Sequence, residues 1–240
     1  MFAEHDQSEG FQGGDQTEQA QFDANDAARR RVLEYDESLL DCEHAGNLAE
    51  EAAVDRSARI IDQWEQMKDP VARRSLLEGV GRQMMDVHEA PPAPIYPQEM
   101  EHNKLGAYSD EDFRTDMNEW QLKQDDPRDA LETYLHEYRH VEQNYEVQKS
   151  HGALSHAVNP ERALATGYNL EHYEGGHQDF DAYAKQLVET DAERFGTSTS
   201  DAILERRDEL RRDDKVDTQF GSDADHVASE RLRANRRTQS

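Results

Sequence analysis

DDPRDALETYLHEYRHVEQNYEVQ, residues 125–148, carries both a helix start and the densest chemistry of the chain. Asp126 is placed to cap, Pro127 stands at the first helical position where a missing N–H costs nothing, and Asp129 falls where an acid reaches back to the exposed amides. Leu131, Tyr134, Leu135, Tyr138, Val141 and Tyr145 recur on a broad apolar side. The spacing therefore predicts a buried central helix rather than a surface one.

Within that helix, HEYRH at 136–140 fits H-E-x-x-H. Four residues is slightly more than one helical turn, so His136 and His140 stand on one face, near enough to share one metal at about 2.0–2.1 Å. Glu137, one position aside, can take a proton from an activated water and later return it to a leaving amine. The competing reading is a polar stripe on an amphipathic helix with its imidazoles paired to acids. An apolar-rich, well-capped helix argues against that reading, because burying two His and a Glu needs a reason. Arg139 is expected to pair with an acid rather than meet a substrate.

A catalytic zinc keeps three protein ligands and one open position, so a third ligand must come from elsewhere. The chain has one cysteine, Cys42, which excludes an intramolecular disulfide and a Cys-based zinc cluster. In ETDAERFG, Glu189 can bind a metal, while Glu193, one turn beyond, can accept from the second nitrogen of a ligand His. His151, His156 and His172 compete for the third place, and Glu189 is favoured by its paired acid and helical context. An oxyanion donor should stand opposite Glu137, with Tyr183 and His177 as candidates and Tyr168 and Tyr173 behind them.

HEYRH on a capped helix, followed some fifty residues later by E-x-x-A-E, resembles the gluzincin branch of the zincin metallopeptidases. The resemblance covers roughly residues 105 to 196. It implies His136, His140 and Glu189 as ligands of one Zn(II), Glu137 as general base and Glu193 as support for a ligand His. Glu193 stands where that branch usually has Asp. The metzincin continuation fails, since positions 143 and 146 are Gln and Glu. DALETYLHEYRH with YAKQLVETDAERFG is also similar to small zincin domains of bacterial effector or toxin-like proteins.

Outward from the motif, residues 105–122 can supply one or two short strands or loops, and 90–104, with APPAPIYPQ, reads as a proline-containing linker or a strapped-down extended segment. Residues 25–89 are helical in pattern, with LAEEAAVDRSARIIDQWEQM as one amphipathic helix and Asp69–Pro70 opening the next. Beyond the motif, Asn159–Pro160 starts a helix, a further helix ends near Gly196, and 201–212 forms another. Residues 1–24 and 213–240 are apolar-poor and read as a disordered acidic tail and a flexible C-terminal tail. The expected architecture is mainly α with a small sheet: a zincin-like domain over 105–212 with a helical N-terminal segment.

Only 35% of residues are hydrophobic against 33% charged, and the net charge is −26. That balance argues against binding to nucleic acid or anionic membranes, which reward clustered Lys and Arg. With no signal peptide pattern and no run of about 18 apolar residues, a cytoplasmic protein is the default expectation. The function expected is hydrolysis of a protein or peptide by a metal-activated water. A zincin-like scaffold that binds or assembles without turnover is the alternative, against which the presence of Glu137 counts, because a structural site has no use for a base beside its metal.

Overall fold

A computed structural model describes residues 48–101, 104–151, 160–171 and 186–237, with side chains of 150, 151, 160–162, 164 and 214–237 outside the description. The N-terminal tail and residues 25–47 of the helical N-terminal segment lie outside the described residues. Two compact units divide the chain: 45–141 with 192–240, and 1–44 with 142–191. Among the described residues the structure is mainly helical with one small sheet, as the periodicity predicts.

In the first of these units, α1 (Leu48–Ile61) and α2 (Pro70–His88) precede the sheet. The first is shorter than its amphipathic pattern suggests, because the chain turns at 62–66 to bury Trp64, whose indole N–H donates to the Gln124 carbonyl at 3.0 Å. The second starts as its sequence dictates: Asp69 accepts from the Val71 N–H at 3.2 Å, with Pro70 at the first position. It ends on Glu89 in the left-handed region (φ 60°), whose N–H returns to the Met85 carbonyl.

The proline-rich stretch after α2 contributes a strand, β1 (Ile95–Gln98), and 105–122 contributes two more, β2 (Gly106–Ser109) and β3 (Arg114–Asn118). Their order is β1-β3-β2, with β1 parallel and β2 antiparallel to β3. Pro97 is tolerated because β1 is an edge strand, where a missing N–H need not break the ladder. The hairpin register sets Ser109 opposite Arg114 and Gly106 opposite Met117. Ile95 and Met117 enter the core.

The motif helix is α3 (Arg128–His151). Its start is capped as expected, with Asp126 accepting from the Arg128 N–H at 3.0 Å and the Leu131 N–H reaching the Pro127 carbonyl. Ala130, Leu131, Tyr134, Leu135 and Tyr138 join Trp64, Leu77, Val80, Met84, Phe195, Ile203 and Leu204 in one core. Gly81 of α2 makes room for the buried Tyr134 ring, whose hydroxyl occupies the space a Cβ there would need. The last helix, α5 (Leu187–Arg237), runs through Gly196 and 201–212 without a break. The helix expected to end near Gly196 continues through it, and that glycine packs against the backbone of α3.

In the second unit, the described residues are the C-terminal part of α3 from Glu142, α4 (Pro160–Glu171) and the start of α5 up to Asp191. Ala163, Ala165, Thr166 and Asn169 bury one face of α4. No described helix is long and apolar enough to cross a membrane.

One buried cation ties the core of the first unit together. The Arg73 side chain is 1% exposed, lies 4.9 Å over the Trp64 ring, and donates to the carbonyls of Trp64, Met67, Leu122 and Gln124. It thus satisfies the turn after α1 and the approach to α3 at once, which a water could not do in so closed a place. Arg73→Met should keep most of the volume and take the guanidinium donors from the Met67 and Leu122 carbonyls, lowering the unfolding free energy by about 2–4 kcal/mol in urea denaturation. A midpoint equal to wild type would contradict this role.

Candidate metal centre

Helix α3 is brought to a partner by regular spacing on two helices. Arg128 pairs with Asp201, Thr197 donates to Glu132 at 2.7 Å, and His136 Nδ1 faces Glu193 Oε2 at 3.6 Å. Each step is four residues forward on α3 and four back on α5, so the two helices run antiparallel along this face. The close approach is permitted by Gly196. A Cβ there would stand 3.0 Å from the Glu132 carbonyl oxygen and 3.1 Å from the His136 nitrogen. A glycine that reads locally as a helix stop is an interior residue that lets two backbones meet.

The motif residues take the positions that helical geometry assigns. His136 and His140 present Nε2 atoms 3.1 Å apart, with ring planes at 79°. Two imidazole nitrogens bound to one tetrahedral ion at about 2.0–2.1 Å stand roughly 3.3 Å apart. The observed separation is therefore compatible with a shared ion. Glu189 of α5 completes the group: one ligand atom from each of His136, His140 and Glu189 lies within 4.8 Å of the other two, and among the described residues no other group of this kind occurs.

Glu189 is 3% exposed. Two imidazoles and one carboxylate suit a divalent ion and leave a coordination position open. Glu193 is 71% exposed on its side chain and, at 3.6 Å, is in ion-pair range of His136 without forming a hydrogen bond. It faces Nδ1 of His136, the ring nitrogen opposite the Nε2 that lies near His140.

Glu137 is 6% exposed and stands outside the three-residue group. A Cβ on Gly106, the first residue of β2, would stand 3.0 Å from Glu137 Oε1 and 2.8 Å from Thr133 Cγ2. The outer strand of the sheet thus passes directly over the carboxylate. Thr133 is itself held by the buried Gln121, which donates to its hydroxyl at 2.7 Å. Arg139 is buried, with its guanidinium 5.3 Å over the Phe195 ring. Tyr138 donates to the Ala90 carbonyl at 2.9 Å, so neither residue reaches outward.

His177 and Tyr183, the expected oxyanion donors, lie outside the described residues, as do Tyr173, His156 and His172 and the side chain of His151. Tyr168 is half-buried on α4. Sequence reasoning missed Gly106 and Gly196, whose function is to have no side chain, and the buried amides Gln143 and Asn169. No family model, curated protein or solved structure matches the chain.

Gly196→Ala tests the helix contact. Alanine is the better helix former by about 1 kcal/mol, yet its methyl meets backbone atoms that cannot swing aside. A net loss of about 1–3 kcal/mol in urea denaturation is expected. A gain in stability would show that α3 and α5 stand further apart.

Proposed function

We propose that the chain is a zinc-dependent hydrolase of peptide bonds, with His136, His140 and Glu189 as metal ligands and Glu137 as general base. The observation that carries this reading is a group of three residues able to hold an ion, His136, His140 and Glu189, with a buried carboxylate outside it, Glu137, against an edge strand of the sheet. A purely structural zinc site closes all four positions and needs no base beside it.

A divalent ion in that group supplies Lewis acidity to a substrate carbonyl and lowers the pKa of a water. The remaining work falls to the protein. Glu137 accepts one proton as the water oxygen bonds to the carbonyl carbon, and delivers a proton to the amine nitrogen as the C–N bond breaks. The charge of Glu193, facing Nδ1 of His136 at 3.6 Å, favours a proton on that nitrogen and so Nε2 as the ligand atom.

The outer edge of β2 supports a peptide rather than another amide as substrate. Strand β2 pairs with β3 on one side only among the described residues, so an extended chain can add to its free edge through main-chain hydrogen bonds. Gly106 at the head of that strand lets its backbone lie directly against Glu137 and Thr133.

Elemental analysis of purified wild type, His136→Ala, Glu189→Ala and Glu137→Gln, paired with cleavage of a denatured protein, tests the assignment. Wild type should hold one zinc; His136→Ala and Glu189→Ala should lose it. Glu137→Gln should keep the metal and lose cleavage by about 10²–10⁴-fold. Stoichiometric zinc with no cleavage by wild type would favour a zincin-like binding protein instead, and no zinc at all would remove the metal site.

A further inference from the structure

A metal ligand in the first turn of a helix sits where helices fray, because the first four N–H groups have no partner within the helix. Glu189 is the third residue of α5. The residue before it, Val188, is held at both ends of its backbone by buried amide side chains from two other helices. Its N–H donates to Asn169 Oδ1 of α4 at 3.1 Å, and its carbonyl accepts from Gln143 Nε2 of α3 at 2.9 Å. The same Gln143 nitrogen donates to Asp191 Oδ2 at 2.8 Å.

Gln143 is 1% exposed, and Asn169, Val188 and Asp191 are buried as well. All of them, with Glu189, belong to the unit that contains 142–191. Two acceptors on one nitrogen fix which end of the Gln143 amide faces the helix, since the carbonyl oxygen could satisfy neither. Asn169 does the work of an N-cap from outside the helix's own chain segment, binding an N–H that would otherwise be orphaned. Gln143 brackets Glu189 from both sides, at 188 and at 191.

We infer that Gln143 and Asn169 are positioning residues for Glu189, clamping the first turn of α5 so that its carboxylate is held in place before a metal arrives. The inference rests on the metal-site reading of His136, His140 and Glu189. A clamp of this kind raises metal affinity by removing the ordering that binding would otherwise have to impose, as outer-shell partners of metal ligands do by about 10–100-fold.

Titration of the full-length apo protein with Co(II) chloride, followed by visible d–d absorption and by chelator competition, tests it. Circular dichroism confirms that each variant is folded. Wild type should bind one Co(II) with the intense absorption of low coordination number. Asn169→Ala, which removes the acceptor, and Gln143→Met, which keeps the volume and removes the donor, should each bind about 10–100-fold more weakly with a weaker band. Asn169→Asp, which keeps an acceptor at the same place, should restore the wild-type spectrum.

Folded Asn169→Ala and Gln143→Met proteins with wild-type affinity and spectrum would overturn the clamp and leave the ligand set standing. Gln143→Met decides alone should Asn169→Ala not fold. A loss at position 169 that Asp does not rescue would overturn the part given to Asn169. Wild type that takes up no Co(II) would overturn the ligand set and the clamp with it.

Discussion

Everything at the candidate centre depends on how closely α5 can lie against α3. Glycine at 196 is the constraint: with a side chain there, the backbone at Glu132 and His136 would have to retreat, and Glu193 would draw away from His136. The polar pairs along this face, Arg128 with Asp201, Thr197 with Glu132 and Glu193 with His136, repeat every four residues on both helices. Being largely solvent-facing, each contributes little energy, typically below about 1 kcal/mol. Their effect is on register. The energy comes from the apolar side of the same helices, where Leu131, Leu135, Phe195, Ile203 and Leu204 share one core.

A second glycine acts in the same way from the sheet side. Gly106 lets β2 cross above Glu137, and the short hairpin is held over α3 by the burial of Met117 and by the Gln121–Thr133 hydrogen bond. The two glycines together explain why a motif of ordinary polar residues is tolerated in a closed place. One makes room for α5 beside His136, and the other makes room for a strand beside Glu137. Behind them Arg73 donates to the carbonyls of two turns, those of Met67 and Leu122 among them.

Much of this was legible in local sequence. The cap and proline at Asp126–Pro127 and at Asp69–Pro70 act within a few residues of themselves, and both helices begin where those residues predict. The apolar stripe of α3 and the shared face of His136 and His140 follow from helical periodicity alone, and the geometry agrees. The spacing of Glu189 and Glu193 likewise follows from a helix at that place. The strands were less legible. GAYS and RTDMN are short, and β2 and β3 gain their identity from pairing with each other and with a proline-containing partner, β1.

The sequence by itself determined which residues stand on one face of each helix, because side-chain direction along a helix depends only on neighbours within about one turn. Only the tertiary structure decided which faces meet. Gly196 looks locally like a helix end and is an interior close contact; Gly106 looks like a loop residue and is the head of an edge strand over Glu137; Gln143 and Asn169 look like polar surface and hold a buried turn. Each of these roles is set by an atom from another segment of the chain, at a distance that no local pattern records.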